Sequence, residues 1–235
     1  PAITSSAIEA RAAILKACPD KKLAASQSGP FDEAKQGDFV LDCILVEPNK
    51  WWVGHHRAKS PCSRFAGGMF LIEPKEPPIS RAWYKVYEAL AWSRLPIPPG
   101  SRIADLGSAP GGWSQVAVAL VGHSGRVIAS DILPMDSLRN VDFIQGDFTQ
   151  DAIVQQLHDW LGGDKFDLVI SDIAPNLTGI DSADQASSIH FLELALDTVR
   201  GTLKPGASFV AKMFQGSGSD QYVKALRMHF EKVLI

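Results

Sequence analysis

Charged residues follow five apolar stretches of the chain, at the points where buried strands would end. They are four aspartates and one lysine: Asp105, Asp131, Asp147, Asp172 and Lys212. The carboxyl ends of parallel strands meet at one edge of a sheet, which is where α/β proteins bind ligands. Carboxylates there can accept hydrogen bonds from a ligand, and a lysine can take a proton from a hydroxyl group. The pattern predicts one site that combines binding with proton transfer.

The three acids that come first in this series suit different parts of a nucleoside. Asp131 follows the second strand, where an acid can accept hydrogen bonds from a ribose diol. Asp147 could accept a hydrogen bond from an adenine amino group, and its alternative role is to stabilise a turn at Gly146-Asp147. Asp105 could orient the neighbouring loop or contact the ligand.

Lys212 follows an apolar strand, Ser208-Phe209-Val210-Ala211, that should be buried. A lysine at such a point is costly unless it is paired or has a chemical task. A desolvated lysine near a second cation loses its proton more readily, and a general base must be neutral. Lys85 is the candidate second cation, and Asp172 is the candidate acid that orients both lysines. The alternative is a lysine that extends to solvent at a sheet edge.

The segment 105–113 reads Asp-Leu-Gly-Ser-Ala-Pro-Gly-Gly-Trp and separates an apolar strand from an apolar helical stretch. Strand, glycine turn and helix in this order are typical of nucleotide-binding sheets. The spacing departs from the dinucleotide pattern G-x-G-x-x-G, because residue 109 is Ala and Pro110 stiffens the loop. It favours a ligand with a carboxylate and an adenosine, such as S-adenosylmethionine, over the NAD of an oxidoreductase.

Strands and helices alternate from Arg102 onward, which indicates a doubly wound, mostly parallel, Rossmann-like α/β sheet. The predicted strands are 102–106, 126–131, 141–144, 166–171, 207–213 and 231–235. The predicted helices are 112–121, 149–161, 187–200 and 219–230. A further helix is expected from about Ser80 to Ser93, with Ser80 as its N-cap.

The first 78 residues are expected to form a separate, small α+β extension, and residues 79–235 the main domain. The pattern predicts a helix from Ile8 to Ala17, strands at 39–46 and 51–57, a turn at Pro48-Asn49, and a linker or ordered loop over 58–79. Cys18, Cys43 and Cys62 are widely spaced, and the pair His55-His56 lacks partners at ligand spacing. We therefore predict neither a metal site nor a disulfide framework.

Charge is unevenly distributed in this chain of 235 residues, whose net charge is −3. Residues 50–85 carry seven Lys and Arg against two Glu, interleaved with aromatic residues, whereas residues 131–184 carry eleven Asp against two basic residues. A polyanion such as RNA could bind the basic segment, although ordinary solvated charges explain the pattern equally well. The candidate RNA contacts are Arg57, Lys59, Arg64, Arg81 and Lys85. The sequence contains no apolar run of the ~20 residues that a membrane helix needs, and no signal peptide is expected.

Six segments of the chain, in order, resemble the FtsJ-type ribose 2′-O-methyltransferases. They are residues 80–85, 105–115, 132–136, 145–148, 171–176 and 212–216. The resemblance spans about residues 79–235. It implies S-adenosylmethionine as cofactor, S-adenosylhomocysteine as product and large-subunit ribosomal RNA as substrate. We expect a monomer in the cytoplasm, or in the mitochondrial matrix of a eukaryote.

The family uses a Lys-Asp-Lys-Glu tetrad, and the resemblance assigns Lys85, Asp172 and Lys212 to its first three positions. The implied cofactor contacts are Gly111, Trp113, Asp131, Asp147 and Asp172. The predicted cofactor set also includes Asp105, Gly107, Pro110, Gly112, Ile132 and Phe148. The tetrad Glu and the last strand of the family would lie beyond Ile235, so we expect both to be missing from this sequence.

The first 78 residues are weakly similar to the region that precedes the catalytic domain in a related group. That group methylates a cytidine ribose in the same RNA and carries RNA-binding modules upstream. Two alternative functions share the predicted fold: a non-catalytic RNA-binding ribosome-assembly factor, and a methyltransferase that modifies the 2′-hydroxyl of a messenger RNA cap.

Overall fold

The computed structural model describes residues 9–10, 12–14, 16, 34–47, 50–59, 61–64, 72, 74–174, 179 and 181–235. The chain divides into two compact units, Pro1–Glu73 and Pro74–Ile235. Across the described part of the chain, no helix is both long enough and apolar enough to span a bilayer.

The first unit contains an antiparallel hairpin of β1 (Phe39–Glu47) and β2 (Lys50–Arg57), followed by a short 3₁₀ helix at Pro61–Arg64. Both predicted strands are confirmed. The described residues of the predicted N-terminal helix, 9–10, 12–14 and 16, are helical. The predicted turn at Pro48-Asn49 lies outside the described residues.

The second unit is built on a parallel sheet of five strands. In chain order they are β3 (Arg102–Leu106), β4 (Arg126–Asp131), β5 (Val141–Gln145), β6 (Phe166–Ser171) and β7 (Leu203–Ala211). Their spatial order is β5-β4-β3-β6-β7. The chain runs from β3 to β5 towards one edge and then returns to place β6 on the other side of β3, so the strand order changes direction between β3 and β6. Ligands bind at such a switch point, and the Rossmann-like prediction is confirmed.

Five helices accompany this sheet: three connect its strands, one precedes β3 and one follows β7. They are α1 (Ala82–Ser93), α2 (Gly112–Val121), α3 (Asp151–Leu161), α4 (Asp181–Thr202) and α5 (Ser219–His229). Side chains of β3, β4 and β6 are buried almost without interruption, as expected for strands covered on both faces. Helix α3 buries Ile153, Leu157 and Leu161, which lie four residues apart on one face.

Two predictions about local structure are wrong. Residues 231–235 form no strand, although the last three of them are apolar; they line a groove of about 1040 Å³ that β7 also lines. A strand needs hydrogen bonds from a neighbouring strand, and an apolar sequence alone does not supply them. Ser80 is not the N-cap of α1, because the cap is Arg81 and the Ser80 hydroxyl is buried without a hydrogen-bond partner among the described residues.

Candidate active site

The glycine loop begins where β3 ends, at the switch point of the sheet. Gly107 has φ +76°, and a Cβ at this residue would lie 2.9 Å from the Cα of Ile173, just after β6. Only glycine allows this approach without moving the backbone. The Gly107 amide donates to the Ser130 carbonyl at 2.8 Å. The loop is thus attached to β4 on one side and packed against the end of β6 on the other.

Helix α2 presents an open N-terminus to this edge of the sheet. Its N-cap is Gly111, with φ +109° and no side-chain cap, so the first amides of the helix are available to an anionic ligand group. A Cβ on Gly111 would lie 2.7 Å from Leu138 and 3.2 Å from the Met135 sulfur. The segment that follows β4 therefore packs on the glycine loop. The peptide bond before Pro110 is cis.

The start of α1 packs against the start of α2 at Gly112. A Cβ on Gly112 would collide with the Ser80 hydroxyl and would lie 3.2 Å from the Trp83 nitrogen. This contact fixes the helix that carries Lys85 beside the glycine loop. Lys85 itself is exposed and forms no hydrogen bond or ion pair with any residue that the structure describes.

Asp131 joins two loops at the end of β4. Its Oδ2 accepts a hydrogen bond from the Ala109 amide at 2.8 Å, and its Oδ1 accepts one from the Leu133 amide at 2.9 Å. Each carboxylate oxygen can accept a second hydrogen bond, so the acid can still receive a ribose diol. Ile132, between the two contacts, is 61% exposed.

Asp147 stabilises a turn, which is the alternative considered for it: its Oδ1 accepts a hydrogen bond from the Thr149 amide at 2.9 Å. The second carboxylate oxygen makes no hydrogen bond with a described residue. Phe148 is buried in the core cluster that contains Ile128 and Leu157, so its side chain lies inside the domain.

Asp172 and Lys212 form the ion pair that their positions after neighbouring strands predict. The Lys212 Nζ lies 2.5 Å from Oδ1 of Asp172 and 3.4 Å from its carbonyl oxygen. The side chains are largely buried, with 23% of Lys212 and 16% of Asp172 exposed. The Nζ also lies 5.2 Å from the centre of the Phe214 ring. This amine is therefore directed by a carboxylate, next to an aromatic side chain.

Asp105 is the most deeply buried acid at this edge. The Ser114 hydroxyl donates to its Oδ2 at 2.6 Å, while its Oδ1 has no hydrogen-bond partner among the described residues. Burial raises the pKa of Asp105 to about 7, and repulsion from Asp172 and Asp131 adds to this effect. Sequence reasoning missed Ser114; the one signal for it is a hydroxyl in an otherwise apolar helical stretch.

The residues at this edge fit an adenosine cofactor that carries a carboxylate. Helix α2 offers free amides for the carboxylate, and Asp131 and Asp147 offer acceptors for the ribose and the base. Several buried polar atoms near this edge have no hydrogen-bond partner among the described residues, among them Trp113 Nε1, Ser108 Oγ and Ser130 Oγ. They are inaccessible to solvent, so the fit to the cofactor rests on the helix amides and the two carboxylates and not on these atoms.

The predicted RNA contacts lie in both units. Arg57, on the hairpin, stacks over the Phe39 ring at 4.7 Å, and the His55 ring lies 5.9 Å from Phe39. Lys59 is exposed and Arg64 half-buried in the same unit. In the second unit, Arg81 and Lys85 are exposed at the start of α1. No cluster of the described residues is suited to hold a metal ion.

The hairpin also holds a histidine between two acceptors. The His56 Nδ1 lies 2.6 Å from Oδ2 of Asp42, and its Nε2 lies 2.7 Å from the Ser63 carbonyl. The hydrogen bond to Asp42, followed by the one to Ser63, raises the pKa of His56. The hydrogen bond between His56 and the Ser63 carbonyl connects the 3₁₀ helix to the hairpin.

Comparison with known proteins gives consistent matches to the second unit. Residues 78–235 match the sequence model of the FtsJ-like methyltransferase family. The ribosomal RNA large subunit methyltransferase E of Stutzerimonas stutzeri is 57% identical over 156 residues, which are 66% of this chain and 75% of the relative. The protein of the same name from Marinobacter nauticus is 56% identical over the same shares.

A solved structure is also similar. The crystal structure of a ribosomal RNA methyltransferase from Plasmodium falciparum superposes with a TM-score of 0.62 at 26% identity, over 66% of this chain and 88% of that one.

Proposed function

The chain belongs to the FtsJ-like methyltransferase family, and from this premise we propose that it methylates a ribose 2′-hydroxyl of large-subunit ribosomal RNA. It is an S-adenosylmethionine-dependent methyltransferase. The observation that carries the proposed chemistry is the ion pair between Lys212 and Asp172, which puts a directed amine at the edge of the sheet that holds the glycine loop.

The proposed cofactor contacts divide by chemistry. The amides at the start of α2, after Gly111, bind the carboxylate, and Asp131 accepts from the ribose. Asp147 accepts from the adenine amino group with its second oxygen, and the exposed Ile132 packs on the base. Asp105, Gly107, Pro110, Gly112 and Trp113 shape or support this cradle. When bound, S-adenosylmethionine supplies a methyl group activated by its positive sulfur.

Lys212 is the proposed general base. As the neutral amine it accepts the proton of the 2′-hydroxyl, and the hydroxyl oxygen becomes the nucleophile. The Asp172 carboxylate then stabilises the ammonium that Lys212 becomes, and before this step it fixes the direction of the amine. Lys85, exposed at the start of α1, is proposed to hold the substrate.

The experiment follows labelled methyl from S-adenosylmethionine to unmodified large ribosomal subunits and to their free RNA. We expect label in ribose 2′-O-methyl groups. Lys212→Ala removes it, while cofactor binding persists. The matched control is Lys204→Ala, because Lys204 pairs with Asp167 at 2.7 Å on the same two strands, near their start. Transfer by Lys212→Ala at the rate of the control would contradict the assignment.

We also propose that residues 1–78 form an RNA-contacting extension of a methyltransferase domain over 79–235. Arg57, Lys59 and Arg64 would contact phosphates from the hairpin unit. The neighbouring rings of Phe39 and His55, which are tilted by 57° to each other, offer a surface for unpaired bases. Arg81 and Lys85 are the proposed RNA contacts beside the active site. The proposal includes a monomer that works in the compartment that holds its ribosomes, the cytoplasm.

A further inference from the structure

The proposed mechanism gives no proton-transfer role to Asp105, the most buried ionisable group of the site. Asp105 is the penultimate residue of β3, and its neighbours across the sheet are Ala129 in β4 and Ile170 in β6. Its side chain is fully buried, and Ser114 supplies its one hydrogen bond among the described side chains. Its Oδ1 is inaccessible, so a ligand at the sheet edge acts on it through charge and not through contact.

The charged groups around Asp105 are mostly acids. Asp131 faces it from the end of β4, and Asp172 from the end of β6. Lys212, after β7, pairs with Asp172. Helix α2 contributes the hydroxyl and the backbone amide of Ser114, which both lower the pKa of Asp105, and α1, which packs on α2, carries the exposed Lys85. Burial and two like charges favour a neutral Asp105, and its pKa of about 7 means that a modest added charge changes its protonation.

We propose that Asp105 holds a proton in the cofactor-free protein and releases it to solvent when a positively charged ligand binds at this edge of the sheet. This inference rests on the proposed function, because S-adenosylmethionine is that ligand. Its sulfur is positive, whereas the sulfur of S-adenosylhomocysteine is neutral. Cofactor binding therefore releases a proton that product binding leaves in place. Asp105 thereby favours cofactor over product, and this preference increases with pH.

The direction of the pH effect follows from linkage. A ligand that favours the ionised acid binds more tightly once the proton has already left. Dissociation constants for both ligands are measured by calorimetry between pH 6 and 8.5. We expect the ratio of the S-adenosylhomocysteine to the S-adenosylmethionine constant to rise about 3- to 10-fold over this range, as one added charge at an effective dielectric above 20 implies.

Two variants isolate Asp105 from the titration of the ligands' own amino groups. Asp105→Asn cannot ionise, so its ratio should not follow the rise seen in the wild type. Calorimetry near pH 7 in two buffers of different protonation enthalpy should detect more proton release on S-adenosylmethionine binding in the wild type than in Asp105→Asn. Ser114→Ala removes a hydrogen bond that lowers the pKa of Asp105. In this variant the rise in the ratio of the two dissociation constants should therefore occur at higher pH.

The outcomes separate this inference from the proposed function. If both ligands bind and the wild-type ratio is constant, or if Asp105→Asn retains the wild-type rise, the inference is wrong and the proposed function stands. If neither ligand binds at any pH, both are wrong. If Asp105→Asn does not fold, Ser114→Ala decides. If the ratio of the dissociation constants rises at the same pH in that variant as in the wild type, the proposed role of Asp105 is contradicted.

Discussion

The β1–β2 hairpin and the carboxyl edge of the five-stranded sheet hold their side chains in opposite surroundings. On the hairpin, large apolar side chains are exposed, with Phe39 and Trp52 each at 65%. At the sheet edge, charged side chains are buried, with Asp105 at 0%. Within the described part of the first unit, no second layer covers the two hairpin strands, whereas helices cover the larger sheet.

This difference decides how much one side chain matters in each region. Water and salt screen the charges of the hairpin, so a single substitution there changes little free energy. At the sheet edge, each charge interacts through a poorly screened interior with the others, and the pKa of Asp105 responds to Asp131 and Asp172. Substitutions should therefore have large effects at the sheet edge and small effects on the hairpin.

The largest effect is expected from the partner of the proposed base. Asp172→Asn leaves Lys212 with a neutral neighbour that neither directs it nor stabilises its ammonium form. We expect kcat to fall about 100- to 1,000-fold, which corresponds to roughly 3–4 kcal/mol. Single-turnover transfer assays measure this loss, with circular dichroism as the check on folding. A decrease of less than threefold would mean that the ion pair is structural only.

The next effect tests the close approach of β3 and β6. Gly107→Ala places a Cβ 2.9 Å from the Ile173 backbone and also forces φ +76° on alanine. The free energy of unfolding should therefore fall by about 3 kcal/mol. Gly206→Ala is the matched control, because φ is +78° there and nothing lies within 4 Å. It should cost about 1 kcal/mol. Chemical denaturation measures both values, and equal costs would show that the β3–β6 contact yields easily.

The stability of the protein should also depend on the protonation of Asp105. Its folded-state pKa of about 7 lies above the ordinary value of 3.8, so the folded protein binds a proton that the unfolded chain releases. This contribution is fully present below pH 4 and is lost as the pH rises through 7. Between pH 5 and 8 the wild type should lose about 2–3 kcal/mol relative to Asp105→Asn. Urea denaturation at both pH values tests this, and parallel curves would exclude a perturbed Asp105.

The sequence predicts the bounds of those strands whose ends are set by the residues next to them in the chain. The strands β3, β4 and β6 have their predicted bounds because each is a short, mostly apolar segment between turn residues. Strand β7 was predicted at 207–213 and spans Leu203–Ala211, because Leu203 pairs with Phe166 across an irregularity in the register. Pairing between distant segments decided that boundary and left residues 231–235 without a strand.

The site shows the same division. The Asp172–Lys212 pair was predictable because both residues follow strands that are neighbours in the sheet. The Asp105–Ser114 hydrogen bond was not, because it spans a strand, a glycine loop and a helix whose geometry no periodicity encodes. The prediction that Asp172 orients Lys85 as well as Lys212 has no counterpart among the described contacts. The Lys85 side chain is exposed and no described contact fixes its position.

The smallest effect should come from the hairpin. Arg57→Ala removes one exposed positive charge stacked on Phe39. It should weaken RNA binding about 2- to 5-fold and change the free energy of unfolding by less than about 0.5 kcal/mol. If Arg57 contacts a phosphate, the slope of log affinity against log salt should become shallower by about 1. Lys50→Ala is the control, because it removes the same charge from a residue that already lies 3.8 Å from Glu47. Equal losses in both variants would mean that the hairpin attracts RNA by its overall charge, and a loss above 100-fold for Arg57→Ala would contradict the contrast between the two regions.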